Sequence, residues 1–391
     1  NGTLIINGIR RAPNNGALTI RYEKELRILY SKPGFESSRA VLRFEPGGKG
    51  KFKAHLRKNE SRVSLIGTSG AEVTINGKKM GYLPMVIMLP TKPHVIKASR
   101  KGFLDQVKEI KFFDNSEKKI RFELIRESEA RLRSSPKSYK TLNGIEMILV
   151  RPSKEKVFSL GAPRHEKGQR ANEFIRPVRL VRPFFVAKTE LRNKDIPGLD
   201  PNDKKPVTKL AWNKVALFCN QLSEKERLKP FYKVKGGRII GFHRGGNGYR
   251  LISEAEWEYM ARYHNRKKSY KFPWGNDPIV PPGAGNLGDE NSKAKINKYI
   301  TGYTDPYVGL APAGKFAPGI SGLFDLVGNV SEWVHDVYDL SPPVYGEIKI
   351  DPLGPEFGAS HVVKGSNYNS ASITELRGSF RDGSEASRAD L

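Results

Sequence analysis

Gly322-Leu-Phe-Asp-Leu-Val-Gly-Asn-Val-Ser-Glu-Trp-Val-His-Asp336 packs turn glycines, apolar anchors and oxygen-bearing side chains into one short stretch. Asp325 and Glu332 are carboxylates seven residues apart, and Gly328 between them lets the backbone fold back so that both face one point. Main-chain carbonyls fill the remaining positions of such a loop, and hard oxygen ligands of this kind suit calcium. Leu323, Leu326, Val330 and Trp333 recur at spacings that bury the loop against a core while its oxygens converge. The same residues also allow a helix start with Asn329 or Ser331 as its cap, and the stretch alone does not choose between the two.

Its surroundings do. Phe184-Phe-Val-Ala-Lys-Thr-Glu190, Lys205-Pro-Val207 with Trp212, Tyr249-Arg-Leu-Ile-Ser-Glu-Ala-Glu-Trp-Glu-Tyr259 and Phe272-Pro-Trp-Gly-Asn276 precede it in that order. Together the five segments resemble the motifs of the formylglycine-generating enzyme family, whose signature G-L-x-D/N-x-x-G-N-x-x-E-W matches the opening stretch. The resemblance covers residues 141 to 391. It implies an α+β, C-type-lectin-like fold with short strands, two helices and much irregular backbone, although a fold does not by itself carry an activity.

Upstream, the chain repeats itself. Ile5-Ile-Asn-Gly8 followed by Lys32-Pro-Gly-Phe35 recurs as Thr74-Ile-Asn-Gly77 followed by Arg100-Lys-Gly-Phe103. Each copy reads as short alternating strands around an Asn-Gly hairpin turn, the second running through Met85–Leu89, His94–Ala98 and Val107–Phe112. The second copy resembles the PEGA repeat family, and the first is a divergent form of it without the G-x-x-P step. The expected organisation is two small all-β modules, 1–45 and 46–112, a charged helix-plus-linker over 113–140, and the large domain over 141–391. PEGA-bearing proteins are usually extracytoplasmic, so the resemblance places the chain in the periplasm or cell envelope of a bacterium.

Charge follows this division. Of 68 Lys and Arg and 41 Asp and Glu, residues 1–140 hold 30 and 13, which puts +17 of the net +27 on the N-terminal arm. Such a field suits an anionic surface, an acidic glycan or an acidic protein. With no helix-turn-helix, finger spacing or aromatic-rich motif, nucleic acid is not the expected partner. No apolar run is long enough to span a bilayer, and a chain that begins at Asn1 is compatible with a leader or domain further upstream.

The single cysteine, Cys219, excludes an internal disulfide and any multi-cysteine metal cluster. It shares the i, i+3, i+4, i+7 face of a helix with Val215, Phe218 and Leu222, which predicts a buried, inert thiol. The seven histidines form no ligand pair, and His335 beside Asp336 is expected to be packed structurally.

The family resemblance implies two structural calcium sites. One matches Asp325, the carbonyls of Gly328 and Val330, and Glu332. The other matches Asn286, the carbonyl of Leu287, Asp305 and the carbonyl of Tyr307, with Pro306 standing where a glycine is common. It also exposes a break. The enzymes use two cysteines after a G-S step to hold copper, and here Lys364-Gly-Ser366 is followed by Asn369 and Thr374 at those positions, so no copper is expected.

The expectation is a noncatalytic, calcium-stabilised binding or scaffold protein that recognises a protein or glycan through Asn367, Tyr368 and Asn369, with Arg377 and Arg381 clamping the core. Two other readings stay open: the sensor region of a larger, kinase-linked signalling protein, and an enzyme of unrecognised chemistry in the same fold.

Overall fold

The structure, a computed structural model, describes residues 2–14, 16–57, 59–111 and 117–388. The chain divides into two compact units, Asn1–Ser135 and Pro136–Leu391.

The first unit holds both modules of the repeat. Ile9–Arg11, Thr3–Ile6, Glu25–Ser31 and Ser38–Arg43 form one antiparallel sheet in that order. Its core rests on Ile6, Leu26 and Ile28, with Leu42, Phe44 and Phe52 packed around them. In the second module Gln106–Lys111, Pro93–Ser99, Glu72–Ile75 and Lys78–Tyr82 make one sheet. Glu117–Phe122, Glu60–Gly67 and Met85–Pro90 make another. Side chains from both sheets, among them Val63, Leu65, Val73, Ile96 and Phe122, close on one core, as in a sandwich.

The repeated Asn-Gly does the same work in both modules. Asn7 and Gly8 have φ of +46° and +80°, and Asn76 and Gly77 +50° and +81°, the left-handed pair that a two-residue hairpin requires. Each asparagine then ties the turn to the neighbouring strand of its sheet. Asn7 Oδ1 accepts from Arg27 N at 2.7 Å, and Asn76 Oδ1 from Val95 N at 2.9 Å.

Two segments assigned to the linker are strands. Glu117–Phe122 pairs in parallel with Glu60–Gly67, because Ile120 and Phe122 point inward while Glu117, Lys119 and Arg121 face water. Charge hides the alternation of this strand in the sequence. Gly67 admits it: at φ +136°, a Cβ there would lie 1.8 Å from the Phe122 carbonyl oxygen. Ser138–Lys140 pairs with Glu146–Val150 through a turn closed by Gly144 N donating to Thr141 O at 2.8 Å, and so belongs to the second unit. Between them lies the helix α1, Glu127–Ser134. Phe112 and residues 113–116 of the expected linker lie outside the described residues.

In the second unit, four small sheets and two helices, α2 (Trp212–Lys225) and α3 (Glu254–Arg262), are joined by long irregular loops, the α+β arrangement expected. Helix α3 starts with a capping box in which Ser253 Oγ accepts from Glu256 N and Ser253 N donates to Glu256 Oε2. All nine of its residues, Glu-Ala-Glu-Trp-Glu-Tyr-Met-Ala-Arg, are buried. A charged helix can sit in a core only if every carboxylate meets a cation. Glu254 meets Arg381 and Arg176, Glu256 meets Arg250, and Glu258 meets Arg262 and the wholly buried Lys364. Burial would raise the Glu254 carboxyl, but Arg176 and Arg381 outweigh it and hold it down at about 2. Arg377 is equally enclosed, making two 2.6 Å bonds to the buried Glu173, so both arginines clamp the core as expected.

Candidate cation sites and binding face

The opening stretch is neither a helix nor a free loop. It runs as irregular backbone to Ser331 and enters the strand Glu332–Val337, with Asp325, Gly328 and Asn329 at φ of +58°, +76° and +62°. Asn329 is therefore a left-handed turn residue and caps no helix. Leu323 and Leu326 are buried in the main core, which fixes the loop from its apolar side.

Its polar side is stitched to a second loop. Asn329 N donates to Asn286 O at 2.7 Å, and Asn286 Nδ2 donates to Asn329 Oδ1 at 3.0 Å. The two strands of backbone touch so closely at Gly328 that a Cβ there would meet the Asn286 carbonyl oxygen at 1.9 Å. Glu190 completes the knot, accepting from Asn329 Nδ2 at 2.6 Å and from Val330 N at 3.1 Å. Sequence reasoning placed Glu190 only as a letter of its motif and Asn329 as a motif letter or a helix cap. Their partners stand about 140 residues apart, and no local period signals that.

The residues expected as metal ligands lie on these two loops. Asp325 Oδ2 accepts from Gly314 N at 2.6 Å, while its Oδ1 is buried without a partner. Glu332 Oε2 accepts from Trp257 Nε1 at 3.0 Å. In the second loop Asp305 accepts from Leu287 N at 3.0 Å and Tyr307 N at 2.8 Å, and Asn286 Oδ1, on a fully buried residue, has no partner. Each expected site thus contains one orphaned buried oxygen acceptor, an expensive feature unless something positive meets it.

Electrostatics point the same way. Burial pushes Asp325 up to about 6, and burial, reinforced by the Asp325 charge, pushes Glu332 up to about 7. Glu190 is raised well above the usual carboxylate range by burial first and then by Asp325 and Glu332. No cation of the chain neutralises this acidic corner through an ion pair among the described residues. Nor do three or more His, Cys, Asp or Glu side chains come together there as a metal-binding group. A resident cation would have to draw on carbonyl oxygens as well, the mixed oxygen set that calcium accepts and softer metals avoid. The residues present fit calcium.

The expected binding face is partly internal. Asn369 is exposed, but Tyr368 and Asn367 are half-buried. Tyr368 N donates to Asn329 O, and Asn367 spends its side chain on Asn369 N at 2.9 Å and Ser331 Oγ at 3.1 Å. Ser366 and Ser370 are buried, because their hydroxyls accept from Gly328 N and Asn367 N. The segment is therefore a braced rim seated on the cation loop, with Asn369, Ser372 and the accessible part of Tyr368 turned outward.

Cys219 lies on α2, half-buried among apolar neighbours, and burial pushes its thiol up to about 12. It is inert at neutral pH. His335 is buried between Phe231, Phe242 and Trp212, with Nδ1 at 3.1 Å from the Tyr232 hydroxyl, and is a packing residue. Among the described residues no helix is long and apolar enough to cross a membrane.

A PEGA domain model matches residues 67–128. A formylglycine-generating enzyme of Thermomonospora curvata is 37% identical over 123 residues, which cover 31% of this chain and 39% of that protein. A protein named chaperone protein LppX, from Paenibacillus barcinonensis, is 30% identical over 179 residues, 38% of this chain and 61% of that one. The mouse inactive C-alpha-formylglycine-generating enzyme 2 is 34% identical over 134 residues, 34% of this chain and 40% of that protein. The chain thus spans less than two thirds of the length of each of these relatives. The model of the sulfatase-modifying factor enzyme 1-like domain matches residues 154–390, the greater part of the chain, and the protein belongs to that family.

Proposed function

We propose that the protein is a noncatalytic member of this family, a calcium-stabilised binding or scaffold domain displayed outside the cytoplasm. One observation supports this reading: the only thiol in the chain, Cys219, is on α2, while the motif resemblance puts Asn369 and, allowing one gap, Thr374 at the positions of the enzymes' two cysteines. An amide and a hydroxyl cannot supply the thiolates that a soft copper ion requires. Two relatives carry the word inactive in their names, which supports this reading.

The binding reading uses the braced rim. Rigid polar groups around one partly accessible aromatic ring, Tyr368, lower the entropy lost when a protein or glycan partner docks. The PEGA modules and their excess of Lys and Arg suit contact with an anionic envelope surface.

The test is a peptide carrying the enzymes' cysteine-containing recognition sequence, incubated with the full chain, copper and oxygen. We expect no aldehyde above a protein-free control. Aldehyde formation abolished by Asn369→Ala would overturn the noncatalytic reading. In parallel, Tyr368→Ala with Asn369→Ala should weaken capture of the envelope partner without lowering the melting temperature.

A further inference from the structure

Inside the second unit, between α2 and the strand Phe184–Ala187, lies a cavity of about 620 Å³. Native interiors are close-packed, and voids of this size are sites far more often than accidents of folding. The wall residues confirm that it is open space. Val215, Phe218 and Cys219 of α2 and all four residues of Phe184–Ala187 line it and are apolar yet only half-buried. The half-buried Glu332 also lines it. The wall includes no residue after Val363, so the cavity is separate from the rim at 366–372.

The mouth has a different character. The wall residues that are exposed are Arg182, Lys209, Arg244 and Asn247, three cations and an amide with no carboxylate among them. Arg182 is paired with Asp351, whereas Arg244 packs over the ring of Phe242. Deeper in the wall, Glu256 is held by Arg250, and Glu190 and Glu332 belong to the cation loop described above. A largely apolar chamber with Lys209 and Arg244 exposed at its edge selects for a molecule that is apolar along most of its length and anionic at one end.

We propose that this cavity binds a single-chain amphiphile with a linear apolar tail and an anionic head, the tail lying against α2 and Phe184–Ala187 and the head meeting Lys209 and Arg244. The shared chemistry occurs in free fatty carboxylates and in one-chain anionic phospholipids. The chamber shares Val330 and Glu332 with the expected calcium loop, so the tail-binding walls are tested apart from that loop, at α2 and Phe184–Ala187.

Titration calorimetry of the full chain with linear carboxylates of eight to fourteen carbons, each below its micelle concentration, tests this. Each added methylene should tighten binding about fourfold until the chamber is full, after which affinity should level off. The twelve-carbon alcohol and trimethylammonium should bind at least tenfold more weakly than the carboxylate, and Lys209→Glu with Arg244→Glu should reverse that order. A lysophosphatidylglycerol of equal chain length identifies the source: tighter binding than the carboxylate points to a membrane lipid, weaker binding to a free fatty acid. Val215→Phe fills the chamber from α2 and should cut affinity at least tenfold without lowering the melting temperature, and Ala187→Leu should do so from the opposite wall. Absence of binding at every length, or binding that rises without levelling and survives both filling substitutions, would overturn the proposal.

Discussion

The two units handle charge in opposite ways. In the first, pairs such as Arg27–Glu25 and Arg121–Glu123 lie open to water, their cationic side chains 80% and 64% exposed. In the second, Arg377–Glu173 is wholly enclosed, and α3 is ringed by five more pairs whose carboxylates are buried. Exposed pairs contribute up to about 1 kcal/mol each, whereas removing one partner of an enclosed pair leaves a bare charge in the core. The first unit is therefore held by hairpins and apolar alternation. The second is held by long-range contacts that fasten otherwise irregular loops.

The contrast breaks most sharply at Arg377. Replacing it by Met strands Glu173 and should destabilise the second unit by about 3–5 kcal/mol. In calorimetry the transition of that unit should fall while that of the first stays in place. Movement of both transitions together would mean that the units do not melt independently.

A pH comparison comes next. His361 is stacked on Trp212 at 3.6 Å between ring centres, with Nδ1 at 3.1 Å from the His335 carbonyl oxygen, and burial pushes it down from 6.5 to about 4. A histidine held neutral in the fold but free to take a proton when unfolded costs stability as pH falls. The contribution is complete above 6.5 and is lost between 6.5 and about 4, by roughly 3 kcal/mol at most. Nearby Asp336, lifted by burial to about 7, opposes this, so the comparison must be made against His361→Phe. The wild-type protein should lose more stability than that variant over this interval. Parallel pH curves would show that His361 titrates normally.

The smallest effect belongs to the first unit. Asn76→Ala loses the bond to Val95 N and places a Cβ residue without side-chain support at φ +50°, at a cost of about 1–2 kcal/mol. Asn7→Ala should match it through Arg27 N. Unequal costs, measured as shifts of the first transition alone, would sharpen the view that the smaller core of the first module leaves it less tightly coupled.

The same contrast explains what was legible. Asn-Gly turns, alternating strands, the i, i+3, i+4 face of α2 and the order of the motifs are local, and the fold follows them. Lys364 looks like a surface residue until Glu258, 106 positions away, encloses it. Glu117–Phe122 was hidden by charges on its outer face, and Ser366 and Ser370 read as open polar groups because the amides they satisfy belong to a folded loop. Asp325, Glu332, Asn286 and Asp305 were legible as letters of the motifs. Their orphaned oxygens, and the role of Glu190 in tying Asn329 to Val330, exist only in three dimensions.

The central claim is that a cation completes those loops. It is tested most directly by the melting of the second unit with calcium and with a chelator, on the wild type and on Asp325→Ala. Free calcium at a hundred times its dissociation constant should stabilise the wild type by about 2.7 kcal/mol, and Asp325→Ala should lose most of that response. A melt unchanged by chelation, with no calcium found by elemental analysis of the purified protein, would contradict the account and leave the loops held by Asn329 and Glu190 alone.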